Sequence, residues 1–170
     1  MMEVPSREAY WIFANDSSRD PACIKKWDEI SDIKIDWPNV FQLPFKTFRE
    51  TKLQSFQFRI IQRVIPCNDW LHQIKEKKDS GTCNYCDEND DLVHFFIKCE
   101  KTSNFWQAFT NWLGRILEEE IKIMHHDIIF GHFSDAPRKE IINYCLIIAK
   151  YYIYLEKLKG NNEINLLTYF

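Results

Sequence analysis

A small, mostly α-helical domain is what this sequence predicts, and three observations predict it. The chain has 170 residues, 45% hydrophobic and 28% charged, which is the length of one ordinary domain and the composition of a folded one. It holds only 4 Gly, against a usual share of about 7%, while 13 Phe, 7 Tyr and 6 Trp supply large core side chains. Apolar residues recur at three- and four-residue spacing in several segments, the mark of amphipathic helices. Disordered, collagen-like and low-complexity classes are excluded, and no internal repeat is present.

Residues 1–43 hold Trp11, Phe13, Trp27, Trp37 and Phe41 among several acids, and read as an N-terminal packing arm with a short helix near Ser6 to Ala14. Met1 to Asp16 has no apolar core behind a basic start, so no secretory signal is expected and the protein is expected inside the cell, in nucleus or cytoplasm. A helical domain is expected over 44–158. Its first helix spans Phe48 to Ile65, where Leu53, Phe56, Ile60, Ile61, Val64 and Ile65 form an apolar stripe that Pro66 ends. Asn68 is a candidate N-cap for a short helix through Trp70, Leu71 and Ile74. Another stripe, Phe105, Phe109, Trp112, Leu113 and Ile116, follows the capping candidates Thr102 and Ser103. The last helix, Arg138 to Leu158, follows Asp135 and Pro137 and is apolar on most sides, as a central core helix is. Its Ile141 to Leu155 run is interrupted by Lys150 and falls short of the roughly 20 residues that cross a bilayer, so no membrane partner is expected. Residues 159–170 form a tail.

The net charge of -3 excludes a globally basic protein but conceals a local excess. Residues 44–78 carry 8 basic and 3 acidic side chains, and residues 79–99 carry 1 basic and 5 acidic. At about 100° per residue, Arg49, Lys52, Arg59 and Arg63 fall within an arc of about 80° beside the apolar stripe, with Lys75, Lys77 and Lys78 nearby. Such a ridge is either the solvated face of a core helix or a surface for phosphates.

The most specific pattern is C-x2-C-x7-H-x4-C, made by Cys83, Cys86, His94 and Cys99. A two-residue gap lets one tight turn aim both thiolates at a single point, and the second pair can do the same from a turn of helix and its exit. Three thiolates and one imidazole suit tetrahedral Zn²⁺, and four protein ligands leave no position for water, so one structural zinc is expected. The expected fold is therefore a small helical domain with an embedded Cys-Cys-His-Cys zinc knuckle. Between the pairs, Asp87 to Val93 reads as a solvated loop leading into a helix near Asp91, where acids favour the helix dipole. Cys23, Cys67 and Cys145 lack paired spacing and read as small core hydrophobes. Tyr85, in the turn between the first two ligands, has two readings: it stacks on an unpaired base, or it packs on the zinc turn.

The stretch Thr51 to Arg59, then Ile65-Pro66-Cys67-Asn68-Asp69-Trp70-Leu71, the quartet and Phe105-Trp106 resemble, in order and spacing, the zinc-binding C-terminal region of reverse transcriptases from LINE-type, non-LTR retrotransposons. Softer likeness runs through Pro5 to Trp11, Ile129-Phe130-Gly131 and Ala149 to Tyr152. The resemblance implies zinc ligation by Cys83, Cys86, His94 and Cys99, and a region downstream of a polymerase that helps bind template RNA or target DNA. It turns Arg49, Lys52, Arg59, Arg63, Lys75 and Tyr85 into candidate nucleic-acid contacts, weak and salt-dependent in isolation. A reverse transcriptase polymerase domain is a further candidate partner. The alternative is a zinc-stapled structural or protein-interaction domain docking on a polymerase or another protein. No enzyme is expected: Asp90 and Asp91 lie between zinc ligands rather than in an aromatic-x-Asp-Asp turn, and no phosphate-cradling glycine loop occurs. His125-His126-Asp127 reads as ordinary surface histidines.

Overall fold

A computed structural model describes residues 20–74, 80–133 and 138–160. The chain divides between Lys34 and Ile35 into two compact units. In the first, α1 (Ala22–Asp28) follows Pro21 and buries Cys23 and Trp27. The helix expected near Ser6 to Ala14 lies outside the described residues.

The second unit is helical, and among its described residues the only strand-like pairing is one antiparallel bridge, Thr82 with Asn89. It begins earlier than the boundary expected at residue 43, because α2 (Trp37–Thr47) runs across it. The Asp36 carboxylate accepts the Asn39 N–H, and Pro38 stands in the first turn, where its missing donor is harmless. α3 (Thr51–Ile61) is shorter than its apolar stripe suggested. It stops at a Schellman turn: Arg63 takes a left-handed conformation (φ 59°) and the Val64 N–H donates to Arg59 O at 3.0 Å. α4 (Asn68–Gln73) has Cys67, not Asn68, at its N-cap. Asn68 is its first helical residue, and its side-chain amide donates instead to Thr82 O at 2.7 Å.

A π-helical turn, His94–Lys98, precedes α5 (Glu100–Leu117), which starts ahead of the capping candidates Thr102 and Ser103. Glu118 ends α5 in the left-handed region, with the Glu119 N–H donating to Gly114 O. α6 (His125–Phe130) and α7 (Lys139–Lys159) complete the unit. Among the described residues no helix is long and apolar enough to cross a membrane. α7 lies against α2, α3 and the π turn, while Ile141 and Tyr144 leave one of its sides exposed.

Phe56 of α3, fully buried, stands at the centre of the aromatic core. Its ring meets Phe96 of the π turn edge-on at 6.3 Å and Tyr151 of α7 edge-on at 5.0 Å, geometry that favours the positive ring edge over the negative face. A buried polar chain crosses the same core. Lys150 of α7 donates to Gln57 Oε1 of α3, and Gln57 Nε2 donates to Ile129 O of α6 at 2.8 Å. The Lys150 interruption noted in the sequence is thus spent inside the fold rather than at a surface.

Gly131 closes α6 at φ 106° and ψ 158°, a region open to glycine, and a Cβ there would lie 2.2 Å from Leu43 of α2. Gly131→Ala is expected to destabilise the chain by about 2 kcal/mol or more, read from the denaturant midpoint. Burial pushes the Lys150 ammonium down to about 7. Because the folded value lies below the unfolded one, the penalty is full below about 7 and fades as pH rises towards about 10.4. Lys150→Met should therefore be more stable than the parent by about 2 kcal/mol at pH 6, with the advantage shrinking or reversing by pH 10. A difference that stays constant with pH contradicts this.

Candidate metal centre

Cys83 and Cys86 are presented by a tight hairpin. The Cys83 N–H donates to Glu88 O at 2.7 Å, the Asp90 N–H donates to Gly81 O at 2.9 Å, and Asp87 turns the chain at φ 57°. The hairpin is tied to α4: the Asn68 N–H donates to Asp90 Oδ2, and the Asp69 N–H to Asp90 O. Asp90 is therefore buried, and the expectation of a fully solvated loop from Asp87 to Val93 is corrected at this residue. Its carboxylate meets one of the orphan amides at the start of α4, and its carbonyl meets the next.

His94 and Cys99 come from the π turn and its exit. The His94 N–H donates to Asp91 Oδ1 at 2.7 Å, so Asp91, expected only to favour the helix dipole, caps the start of this turn through a hydrogen bond. Five residues along an α-helix rotate by about 140°, which would send His94 and Cys99 to different sides. The π turn closes an i to i+5 bond, Cys99 N–H to His94 O at 3.0 Å, and so stacks the two ligands on one side. Carbonyls left over where the turn meets α5 are met by side chains. Thr102 Oγ1 donates to Phe95 O, and the Trp106 indole donates to Phe96 O at 2.7 Å.

The four ligand atoms converge within 4.8 Å of one another, and the group could hold one metal ion. A tetrahedron with metal–sulfur bonds of about 2.3 Å has edges of about 3.8 Å. The Cys83 and Cys99 sulfurs are 3.9 Å apart, and Cys86 Sγ is 3.3 Å from His94 Nε2. The donor set fits, and so do these two edges. Cys83, His94 and Cys99 are buried and Cys86 is half-buried.

The protonation states suit the same chemistry. Burial pushes the Cys83 thiol up to about 12, against the pull of the Tyr85 amide and the Lys157 ammonium. Burial also raises Cys99, but Lys157, the amides of Lys101 and Thr102 and the Cys83 thiol outweigh it and bring Cys99 below its ordinary value. The two sulfurs lie within hydrogen-bonding reach of each other at 3.9 Å, and a cation bound between them would displace their protons. Burial, then Lys157, lowers His94, which keeps its imidazole neutral and able to ligate.

The residues expected to touch nucleic acid do not form one helical ridge. Lys52 and Arg59 share a face of α3 and are exposed, and Arg49 is exposed just ahead of the helix. Arg63 lies beyond the helix end and is half-buried. Lys52 sits over the Tyr151 ring at 5.1 Å. Lys75, with Lys77 and Lys78, lies outside the described residues. Tyr85 is half-buried, with the Lys157 Nζ 5.8 Å from its ring centroid. The His125-His126-Asp127 run is less superficial than its reading: Asp127 is buried, accepts the Met124 N–H at 2.8 Å and faces His132 at 3.3 Å. Cys23 and Cys67 are buried and Cys145 is half-buried.

Sequence reading passed over Lys157, whose charge acts on three of the four ligands. The available signal was periodicity. Ile142, Leu146, Lys150, Ile153 and Lys157 follow a four- and three-residue spacing, which places both lysines in the buried stripe of α7.

No protein-family model, curated protein or solved structure matches the chain.

Metal must displace the Cys83 proton, so affinity for a divalent ion is expected to rise about tenfold or more per pH unit between pH 6 and 8. Competition against a chelator of known proton dependence measures this, and a flat profile contradicts it.

Proposed function

We propose that the chain is a non-catalytic zinc-binding module whose basic surface contacts RNA or DNA. The observation that carries the proposal is the convergence of Cys83, Cys86, His94 and Cys99 on one point. Zinc is the favoured metal because three thiolates and an imidazole at tetrahedral edges suit a d¹⁰ ion without geometric demands of its own. With four protein ligands the ion keeps no position for water or substrate, so its role is to staple the hairpin to the π turn.

The nucleic-acid half of the proposal rests on Arg49, Lys52 and Arg59, and on the likeness of the motif order to the C-terminal region of LINE-type reverse transcriptases. On that reading the polymerase itself is the partner supplied elsewhere. Neutralising three phosphates releases enough counterion that raising salt from 50 to 200 mM weakens binding by ~20- to 40-fold. Fluorescence anisotropy with a labelled single-stranded RNA and a DNA duplex is expected to show this dependence, and Arg49→Glu with Arg59→Glu should abolish both binding and its salt slope. Binding unchanged in that double variant removes the assignment. A zinc-stapled protein-interaction domain is then the reading, and the exposed pair Phe45 and Phe58, with ring centroids 6.4 Å apart, favours it.

A further inference from the structure

Lys157 stands near the end of α7, 9% exposed, and its Nζ has no hydrogen-bond partner among the described residues. A buried ammonium without a hydrogen bond is costly, and the aromatic faces around it offset only part of that. Its Nζ lies 4.3 Å from the Phe95 ring centroid and 5.8 Å from that of Tyr85. Those rings belong to the two halves of the metal centre: Tyr85 sits between Cys83 and Cys86, and Phe95 follows His94. Its neighbour Glu156 is engaged by Lys159 at 2.7 Å. Asp90, buried on the hairpin side with Oδ1 unpartnered among the described residues, adds negative charge there rather than relieving it.

Three thiolates around a divalent ion leave a net charge of -1 in a largely buried site. We propose that Lys157 is the counter-cation of the metal centre, held by α7 against both ligand pairs so that it stabilises the thiolate-rich, metal-loaded state. The inference rests on the reading that the quartet binds metal. It makes Lys157 a positioning residue acting through charge: it touches no metal, yet it sets affinity. It also accounts for the conflict in α7, where a lysine occupies the buried stripe with no hydrogen-bond partner among the described residues. Without metal, Lys157 is a burden on the fold; with metal, it is half of an ion pair.

Opposite signs in the two states make the test decisive. Full-length chains with Lys157→Met and Lys157→Arg are titrated with Co²⁺, followed by Zn²⁺ competition against a chelator, and their metal-free forms are unfolded in urea. The Met variant should bind Zn²⁺ about 10- to 100-fold more weakly with unchanged cobalt bands. Its metal-free form should be as stable as the parent or more so, and the Arg variant should keep affinity within about tenfold of the parent. Parental affinity in the Met variant overturns the proposal. So does a loss of affinity that comes with altered cobalt bands or a weakened metal-free fold. If the parent chain itself fails to give tetrahedral cobalt bands at one equivalent, the metal reading falls, and this inference with it.

Discussion

Convergence of Cys83, Cys86, His94 and Cys99 is the constraint on which this region of the fold depends. The hairpin from Gly81 to Asp90 has one bridge and a few turn bonds, too little to hold a chain segment in place by itself. The π turn is a high-energy way to enter α5 and needs a reason to persist. A metal ion held by the same four atoms would supply both: it would tie the hairpin to the turn, and the i to i+5 bond is what aligns His94 with Cys99. The turn's other residues are not idle. Phe95 and Phe96 carry the contact onward to Tyr154 and Phe56, so that the centre is braced by α3 and α7.

α7 serves this arrangement with two buried lysines of different character. Lys150 is partnered by Gln57 in a polar chain linking α3, α6 and α7. Lys157 is enclosed by aromatic faces beside the ligands. A core that hosts two ammonium groups is less stable than an apolar one of the same shape. The first is tolerated through a hydrogen bond, and the second, on the proposal that Lys157 is the counter-cation, through the charge of the loaded centre.

Much of the fold was legible in the sequence where local chemistry and tertiary packing agree. α5 and α7 lie where they were expected because long apolar stripes mark them. The ligand quartet was legible because rare residue types recur at short spacing. α3 ended early because a left-handed Arg63 closes it, and nothing in a non-glycine residue announces that conformation. α2 was missed because its residues were read as part of the N-terminal arm, although Asp36 and Pro38 are start signals for a helix there. Asp90 and Lys157 were hidden for a shared reason. Charged residues in an acidic run or near a helix end read as solvent-facing, and for Asp90 only the packing of distant segments turns it inward, whereas for Lys157 the helical periodicity carried a signal.

Native mass spectrometry of the purified chain, before and after dialysis against a chelator, with near-ultraviolet circular dichroism of each sample, decides whether the quartet holds metal and anchors the core. The account predicts one zinc ion per chain and loss of the ordered aromatic signal on its removal, since Phe95 and Phe96 are anchored through the centre. A chain that carries no stoichiometric metal, and whose aromatic signal is the same with and without chelator, would contradict it.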